Sequence, residues 1–348
     1  MTADAKDFIC TATRTELEER LRQWHQPAFR ATQILDWVYH KRIFVPAAMK
    51  NLPASLRETL QENFLCQALR VRETQEADDG TAKLLLELPD HETIEAVIIP
   101  SPGRYTFCLS TQVGCPVRCY FCASGADGLV RNLLAGEIVE QFNCCCTKLG
   151  KLPDNIVFMG IGEGLMNFDN LTTALDLLCS PDGFGLAARR ITVSTSGWVP
   201  GIRKLADLER QWNLAVSLHA PDDATRAKLI PEPMRLPMAD ILAACDYYRQ
   251  KSGRMVTFEY TLIRGINDSR DQAAKLATIA LAHHAKVNLI PYNQTSPQFE
   301  RPTDRSVRAF EAVLLERKVQ VTVRVEKGSK VAAACGQLRR HAATRSDS

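Results

Sequence analysis

Six alternations between a strand-like and a helical segment, between residues 104 and 325, restrict the fold of this chain more than any other feature. The predicted strands are short apolar runs rich in β-branched residues: Tyr105–Gln112, Asn155–Met159, Arg190–Thr195, Asn213–Leu218, Met255–Ile263 and Lys286–Ile290, with a closing strand at Gln320–Val325. The predicted helices repeat apolar residues every three or four positions: Ala135–Leu149, Leu171–Leu178, Pro200–Leu208, Met238–Lys251, Arg270–His283 and Asp304–Arg317. The pattern predicts the α/β class and a parallel (β/α)6 partial TIM barrel.

The residues before the barrel follow a different pattern. From Thr15 to Leu69, apolar residues recur at helical spacing, which predicts a small helical domain. Two strand-like runs, Thr81–Leu88 and Glu92–Ile99, flank a Pro-Asp-His turn and predict a β-hairpin. We therefore divide the chain into a helical accessory domain (1–78), a hairpin connector (79–103), the barrel (104–340) and a tail (341–348).

Two stretches of the chain combine features that are common on RNA-binding surfaces. Aromatic and basic residues are mixed at Phe29–Ala31 and Trp37–Lys41, which favours RNA contact by the helical domain, although Trp37 and Tyr39 are equally expected in its core. The second stretch, Val319–Arg345, is predominantly basic, and we expect it to be a solvated surface. Its charged residues include Arg324, Lys327, Lys330, Arg339, Arg340 and Arg345, with the acid Glu326.

Composition narrows the class of protein. A net charge of +3 over 348 residues does not by itself imply nucleic-acid binding. The twelve cysteines indicate metal or redox chemistry rather than a disulfide framework, because cytosolic thiols are kept reduced. The residues Met1–Asp7 lack the features of a secretion signal, and no apolar run approaches the roughly 18 residues of a membrane span. We expect a cytoplasmic, monomeric protein that does not bind membranes.

Three cysteines follow the first predicted barrel strand with the spacing CxxxCxxC: Cys115, Cys119 and Cys122. Three thiolates suit a [4Fe–4S] cluster, whose fourth iron then has no protein ligand and can bind another molecule. A structural zinc site normally needs four protein ligands. Zinc and buried structural cysteines are the alternatives at this point.

A second run of cysteines, Cys144–Cys146, lies on a predicted helix. Adjacent residues of a helix do not share a face, so we interpret these cysteines as packing residues.

Other unusual segments also follow predicted strands: Gly160–Gly164, Ser194–Gly197, Ser217–His219 and Pro291–Asn293. Active sites of parallel barrels lie at the C-terminal ends of the strands, so we expect these segments to surround the three cysteines. Glycine lets the main chain approach a ligand closely, and Glu163 is suited to accept hydrogen bonds from an ammonium group. The glycine-rich turn does not match the dinucleotide pattern GxGxxG, which argues against NAD.

The cysteine spacing resembles the signature of the radical S-adenosylmethionine (SAM) superfamily, in which SAM binds the open iron. From residue 28 to residue 340 the chain resembles, more narrowly, the RlmN/Cfr family of radical SAM adenosine RNA methyltransferases. The segments that carry this resemblance are Phe29–Ala31, Ile94–Pro100, Cys108–Cys115, Arg131–Leu133, Ser194–Gly197, Ser217–Pro221, Glu259–Tyr260, Asn288–Pro291 and Ala334–Leu338.

This resemblance implies a radical route to carbon 2 or carbon 8 of adenine, which ordinary methyl transfer cannot alkylate. It implies a [4Fe–4S] cluster and two SAM molecules per turnover. One SAM methylates Cys335, and the second yields a 5′-deoxyadenosyl radical that takes hydrogen from the new S-methyl group. The carbon radical then adds to the adenine. Release of the product is assigned by resemblance to Cys108, which forms a transient disulfide with Cys335, and to Glu95 as the base.

The family's SAM site, carried over residue by residue, falls on Gly162, Glu163, Ser194, Ser217, Leu218, His219 and Asn293. The implied partners are RNA (ribosomal RNA, with transfer RNA as a second candidate) and an electron donor such as flavodoxin or ferredoxin. Gly164 departs from the family pattern, which usually has proline there. Because glycine loosens a turn, we expect this departure to affect specificity more than chemistry. A radical SAM enzyme with a diverged substrate and a non-catalytic iron–sulfur RNA-binding protein are the alternatives.

Overall fold

The computed structural model describes residues 6–232, 234–324, 327–328 and 331–338. Its first elements are β1 (Asp7–Phe8), α1 (Arg14–Gln23), α2 (Arg30–Leu35), α3 (Ala54–Asn63) and β2 (Phe64–Leu65). Thr13 and Glu16 form a capping box that fixes the start of α1. α2 continues into a π-helical turn, Asp36–His40. β1 and β2 pair in parallel, which brings the two ends of this unit together. The predicted helical character of this region is confirmed.

The aromatic residues of the helical unit divide between its core and its surface. Tyr39 is buried, and its hydroxyl donates a hydrogen bond to the carbonyl oxygen of Cys10 at 3.1 Å. Trp37 is partly buried against the same core, with Lys41 Nζ 4.0 Å from its ring centroid. Phe29 is 57% exposed. Tyr39 is therefore a core residue, and RNA contact by this unit stays a prediction.

The remaining elements alternate between strands and helices. In chain order they are β3 (Arg70–Glu76), β4 (Ala82–Glu87), β5 (Thr93–Ser101), β6 (Arg104–Cys108), β7 (Gln112–Gly114), β8 (Leu129–Asn132), α4 (Ala135–Leu149), β9 (Asn155–Phe158), α5 (Phe168–Cys179), β10 (Ile191–Thr195), α6 (Val199–Asp207), β11 (Asn213–Ser217), α7 (Asp223–Arg226), α8 (Met238–Ser252), β12 (Thr257–Leu262), α9 (Arg270–Ala282), β13 (Lys286–Pro291), α10 (Asp304–Glu316) and β14 (Val321–Val323). The predicted hairpin and the six strand–helix alternations are confirmed.

In the described part of the chain, ten strands form one sheet in the order β14-β13-β12-β11-β10-β9-β6-β5-β4-β3. Strands β6 and β9 to β14 are parallel to one another, as a (β/α)6 partial barrel with a closing strand requires. Strands β5, β4 and β3 continue the sheet in antiparallel fashion. The hairpin is therefore continuous with the barrel sheet, and β3 belongs to this sheet although it lies within residues 1–78. The domain boundaries stay predictions.

The first barrel strand is shorter than the predicted Tyr105–Gln112. It ends at Cys108, although the Leu109 N–H still donates to the Val157 carbonyl at 3.0 Å, and Gln141 of α4 bonds to the main chain of the next residue. The Ser110 N–H donates to Gln141 Oε1 at 3.0 Å, and Gln141 Nε2 donates to the Ser110 carbonyl at 3.0 Å. Strand β7 then pairs with β8 in a separate two-stranded sheet. The Thr111 and Gln112 N–H groups both donate to the Ile161 carbonyl, at 2.8 and 3.2 Å, so the chain stays attached to the segment after β9 until the cysteine motif begins.

One large apolar core extends from the helical unit into the barrel. Cys145 and Cys146 are buried in it and Cys144 packs at its edge, so these cysteines are packing residues as predicted. Among the described residues, no helix is long and apolar enough to cross a membrane. The tail (341–348) and several residues of the predicted closing strand and basic stretch lie outside the described residues: Val325, Glu326, Lys330, Arg339, Arg340 and Arg345.

Candidate active site

The cysteine motif forms the loop between β7 and β8, beyond the C-terminal end of β6. Gly114 has φ +75°, and a Cβ at this position would lie 1.9 Å from the carbonyl oxygen of Gly128, so the loop requires glycine there. The Cys115 N–H donates to the same oxygen at 3.0 Å, and the Cys122 N–H donates to the Cys119 carbonyl at 3.0 Å. The three cysteines line one cavity with an empty volume of about 930 Å³.

The three cysteines fit a cluster better than a single metal ion. Burial raises the pKa of all three thiols above the ordinary 9.0, that of Cys115 to about 12. Thiolates in such surroundings require a cation. A structural zinc site normally has four protein ligands, and the motif supplies three. In an iron–sulfur cluster each cysteine binds a different iron, so thiols spread around a cavity are suitable ligands.

An apolar shell surrounds the cysteine loop. Val117 and Phe121 of the loop pack with Leu229 and Ile230 from the turn after α7, and all three cysteines contact this group. The Tyr120 N–H donates to the Leu229 carbonyl at 3.0 Å and fixes the two segments together. Such a shell lowers the local dielectric constant, which strengthens every charge interaction with a group bound there.

Six of the seven residues predicted to bind SAM line the same cavity: Gly162, Glu163, Ser194, Ser217, His219 and Asn293. They lie at or just beyond the C-terminal ends of β9, β10, β11 and β13, as predicted for a parallel barrel. Leu218 differs, because its side chain is fully buried in the core. Its N–H donates to the Glu259 carbonyl at 3.1 Å. Leu218 therefore supplies no side chain to the cavity wall.

Glu163 joins two strand ends and presents a carboxylate to the cavity. It accepts hydrogen bonds from the N–H groups of Leu165, at 3.2 Å, and Ser196, which ties the turn after β9 to the end of β10. Burial raises the pKa of Glu163, and these hydrogen bonds oppose the shift. The Glu163 N–H donates to Gln112 Oε1 at 2.7 Å, and Gly162 lies so close that an added Cβ would be 2.7 Å from Gln112 Cβ. The carboxylate is thus held in place and is suited to an ammonium group.

His219 is a neutral ring in the wall of the cavity. Burial lowers the pKa of His219 to about 3, and the charge of Arg226 adds to this effect. The Thr261 N–H donates to His219 Nδ1 at 3.0 Å, which assigns the ring proton to Nε2. The ring of Phe121 meets the imidazole edge to face, with centroids 5.0 Å apart. His219 can therefore donate one hydrogen bond from Nε2 without carrying charge.

The segment that carries Cys335 is attached to the cysteine loop. The Ser124 hydroxyl donates to the Leu338 carbonyl at 2.7 Å, and Asn293 Nδ2 donates to the Cys335 carbonyl at 3.0 Å. These bonds place Cys335 in the wall of the cavity that the cluster cysteines line. Asn293 was predicted to bind SAM, and here it also positions Cys335.

A second cavity of about 700 Å³ lies beside the first and is lined by both Cys108 and Cys335. Cys335 lines both cavities, whereas Cys108 lines only the second. Burial raises the pKa of the Cys108 thiol to about 12; repulsion by Cys335 adds to the shift, and the charge of Arg324 opposes it. Cys108 and Cys335, to which the resemblance assigns a transient disulfide, thus line one cavity beside the motif, and their chemical roles stay predictions.

Glu95 lies near this site but is paired elsewhere. It is on β5, two residues before Val97, which pairs with Cys108, so Glu95 and Val97 point to the same face of the sheet. Its carboxylate forms a buried ion pair with Lys83, with 2.8 Å between Oε1 and Nζ. Glu95 is absent from the described walls of both cavities. Its role as a base stays a prediction.

Sequence comparisons identify both parts of the chain. Residues 9–66 match the ribosomal RNA large subunit methyltransferase N-terminal domain, and residues 109–277 match the radical SAM superfamily. The chain is 48% identical to a probable dual-specificity RNA methyltransferase RlmN 3 of Opitutus terrae, over 96% of this chain and 95% of that protein. It is 43% identical to a probable dual-specificity RNA methyltransferase RlmN of Akkermansia muciniphila, over 95% of each chain. The chain belongs to the RlmN family of radical SAM RNA methyltransferases.

A solved structure supports the same assignment. The chain superposes on a radical SAM methyltransferase from Sphaerobacter thermophilus with a TM-score of 0.91 and 42% sequence identity, over 95% of this chain and 99% of that chain. Membership of the radical SAM superfamily implies an iron–sulfur cluster and SAM. The cavity provides three thiols for the cluster, and it provides the Glu163 carboxylate and neighbouring polar groups for SAM.

The departure from the usual RlmN family pattern lies in a short turn, Gly164–Met166. The Met166 N–H donates to the Glu163 carbonyl, and the Asn167 N–H donates to the Gly164 carbonyl, both at 3.0 Å. A Cβ on Gly164 would lie 3.1 Å from Leu171 Cδ2. Hydrogen bonds therefore hold this turn without a proline. The expected effect on specificity stays a prediction.

Two charged residues of the RlmN-type site were missed by sequence reasoning. Arg324, predicted to lie on a solvated surface, is half-buried and lines both cavities; that prediction was wrong, because the residue directly follows β14 and faces the barrel interior. Negative charge on Cys335 and then on Glu259 raises its pKa. Glu259, on β12, lines the first cavity and accepts a hydrogen bond from Asn288 Nδ2 at 2.7 Å. The sequence did offer a signal for Glu259, because a charged residue among apolar residues of a central strand is unusual and indicates a functional role.

Proposed function

We propose that this chain methylates carbon 2 or carbon 8 of an adenosine in RNA, using a [4Fe–4S] cluster and two SAM molecules per turnover. The substrate is ribosomal RNA, with transfer RNA as a second candidate, and an electron donor such as flavodoxin or ferredoxin reduces the cluster. The protein acts as a cytoplasmic monomer. The observation that carries the proposal is that Cys335 lies in the wall of both cavities, between the cluster cysteines and Cys108.

A [4Fe–4S] cluster would be held by Cys115, Cys119 and Cys122 and would supply the electron that cleaves SAM. The residues around it position the reactants. Glu163 would accept hydrogen bonds from the ammonium group of SAM, and His219 would donate one from Nε2. Asn293 holds the main chain of Cys335 beside them. This arrangement keeps the methyl-bearing sulfur next to the place where the radical forms.

Cys335 is the nucleophile that first accepts a methyl group and then links the enzyme to RNA. Arg324 lines both of the cavities that Cys335 lines, so a positive charge lies near the sulfur that accepts the methyl group. Product release needs a second thiol within reach, and Cys108 lines the same cavity. In this step the Cys108 thiolate attacks the sulfur of Cys335, and the carbon–sulfur bond to the RNA adduct breaks with its electron pair leaving on carbon. That carbon takes up a proton and becomes the new methyl group, and the resulting Cys108–Cys335 disulfide is reduced by an external thiol before the next turnover. Glu95 is the proposed base of the release step, which requires separation from Lys83.

Two cysteine variants test the proposal with reconstituted enzyme, SAM, a reductant and RNA. Cys335→Ala should retain the cluster and form no methyladenosine, because the methyl acceptor is missing. Cys108→Ala should accumulate RNA that is covalently attached to protein, because the resolving thiol is missing. Cys144→Ala, a cysteine outside both cavities, should behave like the wild type. Methyladenosine formed by Cys335→Ala would refute the mechanism.

The same assays separate the alternative functions. A wild-type protein that binds a cluster and RNA but forms no 5′-deoxyadenosine from SAM would be a non-catalytic iron–sulfur RNA-binding protein. An enzyme that forms 5′-deoxyadenosine from SAM but no methyladenosine in RNA purified from a deletion strain would have a diverged substrate. Mass spectrometry of nucleosides from fractionated RNA reports both the carbon that is modified and the class of RNA.

A further inference from the structure

Arg226 is a fully buried cation beside the cluster cysteines. It is the last residue of α7, and the turn that follows contributes Leu229 and Ile230 to the apolar shell of the cysteine loop. Its guanidinium donates hydrogen bonds to two main-chain carbonyls, those of Leu236 and Ser196. Its Nε has no hydrogen-bond partner. The described residues place no carboxylate at ion-pair distance from it, so the charge is held only by neutral carbonyl groups.

A buried charge without a counter-ion is costly, because desolvation is offset only by an opposite charge nearby. Burial disfavours the charge of Arg226; the acidic groups near enough to oppose this effect are Cys119, one of the proposed cluster ligands, and Asp223, whereas the charge of Arg235 adds to it. Asp223 is exposed, and its Oδ1 accepts a hydrogen bond from the Met238 N–H. The negative charge that best matches Arg226 is therefore the one that a thiolate-ligated cluster brings to Cys119.

Arg226 is not positioned as a direct ligand of SAM. It is absent from the described wall of the cavity and reaches it only through the Ser196 carbonyl. The Ser196 N–H in turn donates to Glu163. Arg226 thus lies one residue behind the cavity, close enough for its charge to act but without contact to a molecule bound there.

We propose that Arg226 is the counter-charge of the cluster and sets its reduction potential. Reduction adds one negative charge to the cluster, and a neighbouring cation stabilises the reduced form more than the oxidised form. The apolar shell strengthens this effect because it keeps water away. Arg226 therefore raises the potential and makes the cluster easier to reduce by an electron donor. This inference rests on the cluster required by the proposed function.

The test is a redox titration of the reconstituted protein, followed by electron paramagnetic resonance of the reduced cluster in the absence of SAM. Arg226→Gln and Arg226→Met both remove the charge, the first keeping a donor group and the second filling the volume. Each should lower the reduction potential by about 59 mV, which for a one-electron couple is about a tenfold fall in the equilibrium constant for reduction. Arg226→Lys keeps the charge and should change that constant by less than about threefold.

Arg254→Gln is the matched control. Arg254 precedes β12, roughly one strand length from the cluster end of the barrel, and donates a hydrogen bond to Asn213. Its loss should leave the reduction potential unchanged.

Cluster loading should raise the melting temperature less in Arg226→Met than in the wild type. If the role of Arg226 were purely structural, the substitution would lower the melting temperatures of the apo and loaded forms by the same amount.

Two results would overturn the inference: an unchanged potential in either neutral variant, or an equal fall in Arg226→Lys. A wild-type protein that assembles no [4Fe–4S] cluster would instead remove the proposed function. The two failures are therefore distinguishable, because the wild-type spectrum reports on the function and only the comparison of variants reports on Arg226.

Discussion

At the scale of single residues, the site depends on positions where the backbone conformation and the neighbouring atoms leave no room for a side chain. Gly162 has φ +112°, and a Cβ there would lie 2.8 Å from both the Gln112 nitrogen and Thr111 Oγ1. The neighbouring Glu163 carboxylate depends on this close approach, because its own N–H bonds to the Gln112 side chain. The glycine is required by the packing of the turn against the residues that precede the cysteine motif.

Gly162→Ala is expected to destabilise the protein by roughly 2 to 5 kcal/mol, from backbone strain and overpacking together. It should also weaken SAM binding, because Glu163 must move with the turn. Thermal unfolding and a SAM-binding measurement check both effects. Gly185→Ala is the control, since Gly185 also has positive φ (+69°) but nothing lies within 4 Å of its Cβ position. Equal losses in the two variants would contradict the packing argument.

At the scale of elements, the segment 331–338 is held on the barrel by a few hydrogen bonds rather than by regular secondary structure. Val331 and Ala333 bond to the turn at Gly328, and the Ser124 hydroxyl holds the Leu338 carbonyl. Local opening of such a segment requires less free energy than unfolding of the sheet. The mobility of Cys335 is therefore set by individual contacts such as that of Ser124.

Ser124→Ala should increase hydrogen exchange in residues 331–338 by about two- to tenfold, the range expected for loss of one hydrogen bond. The rate of Cys335 methylation should fall in the same variant, because the thiol is placed correctly for less of the time. Ser55→Ala, at an exposed position on α3, serves as the control and should change neither. Unaltered exchange in Ser124→Ala would show that other contacts hold the segment.

At the scale of the whole molecule, Glu140 connects the helical unit to the barrel. It lies on α4, is 1% exposed, and accepts a hydrogen bond from the Leu69 N–H at 2.7 Å, in the segment that leads from β2 to β3. Its other oxygen has no partner. Burial raises the pKa of Glu140 to about 7, and the nearby charge of Glu137 adds to the shift, while main-chain hydrogen bonds from residues 67–69 oppose it.

The stability of the protein should therefore depend on pH. Between the ordinary Glu pKa of 4.5 and the folded value of about 7, the folded state binds more protons than the unfolded state. Its free energy of unfolding falls as pH rises through this window, by an amount on the order of 3 kcal/mol. Glu140→Gln mimics the protonated form and should remove most of this dependence in denaturant titrations. Glu58→Gln, at an exposed site on α3, should keep it.

The sequence by itself determined the order of elements and the type of chemistry. Period-two and period-3.6 apolar patterns reflect burial directly, so the alternation of β9 to α10 was predictable to within a few residues. The spacing of Cys115, Cys119 and Cys122 identified the cluster loop, because ligands that are close in sequence are brought together by local geometry. Six of the seven residues predicted to bind SAM were found through their positions after strands, and they do line the cavity. A strand-end motif does not show which way each side chain points, so the burial of the Leu218 side chain was not predictable.

Tertiary structure alone decided which distant side chains share a cavity. The main chain of Ser110 is held by Gln141 from another element, and the inward position of Arg324 depends on the closing strand. The pairing of Glu95 with Lys83 and the isolated charge of Arg226 follow from burial and long-range contact. Charge interactions depend on distance and dielectric constant, and neither quantity is encoded in local sequence. The cluster motif could therefore be read from the chain, whereas its electrostatic environment required the fold.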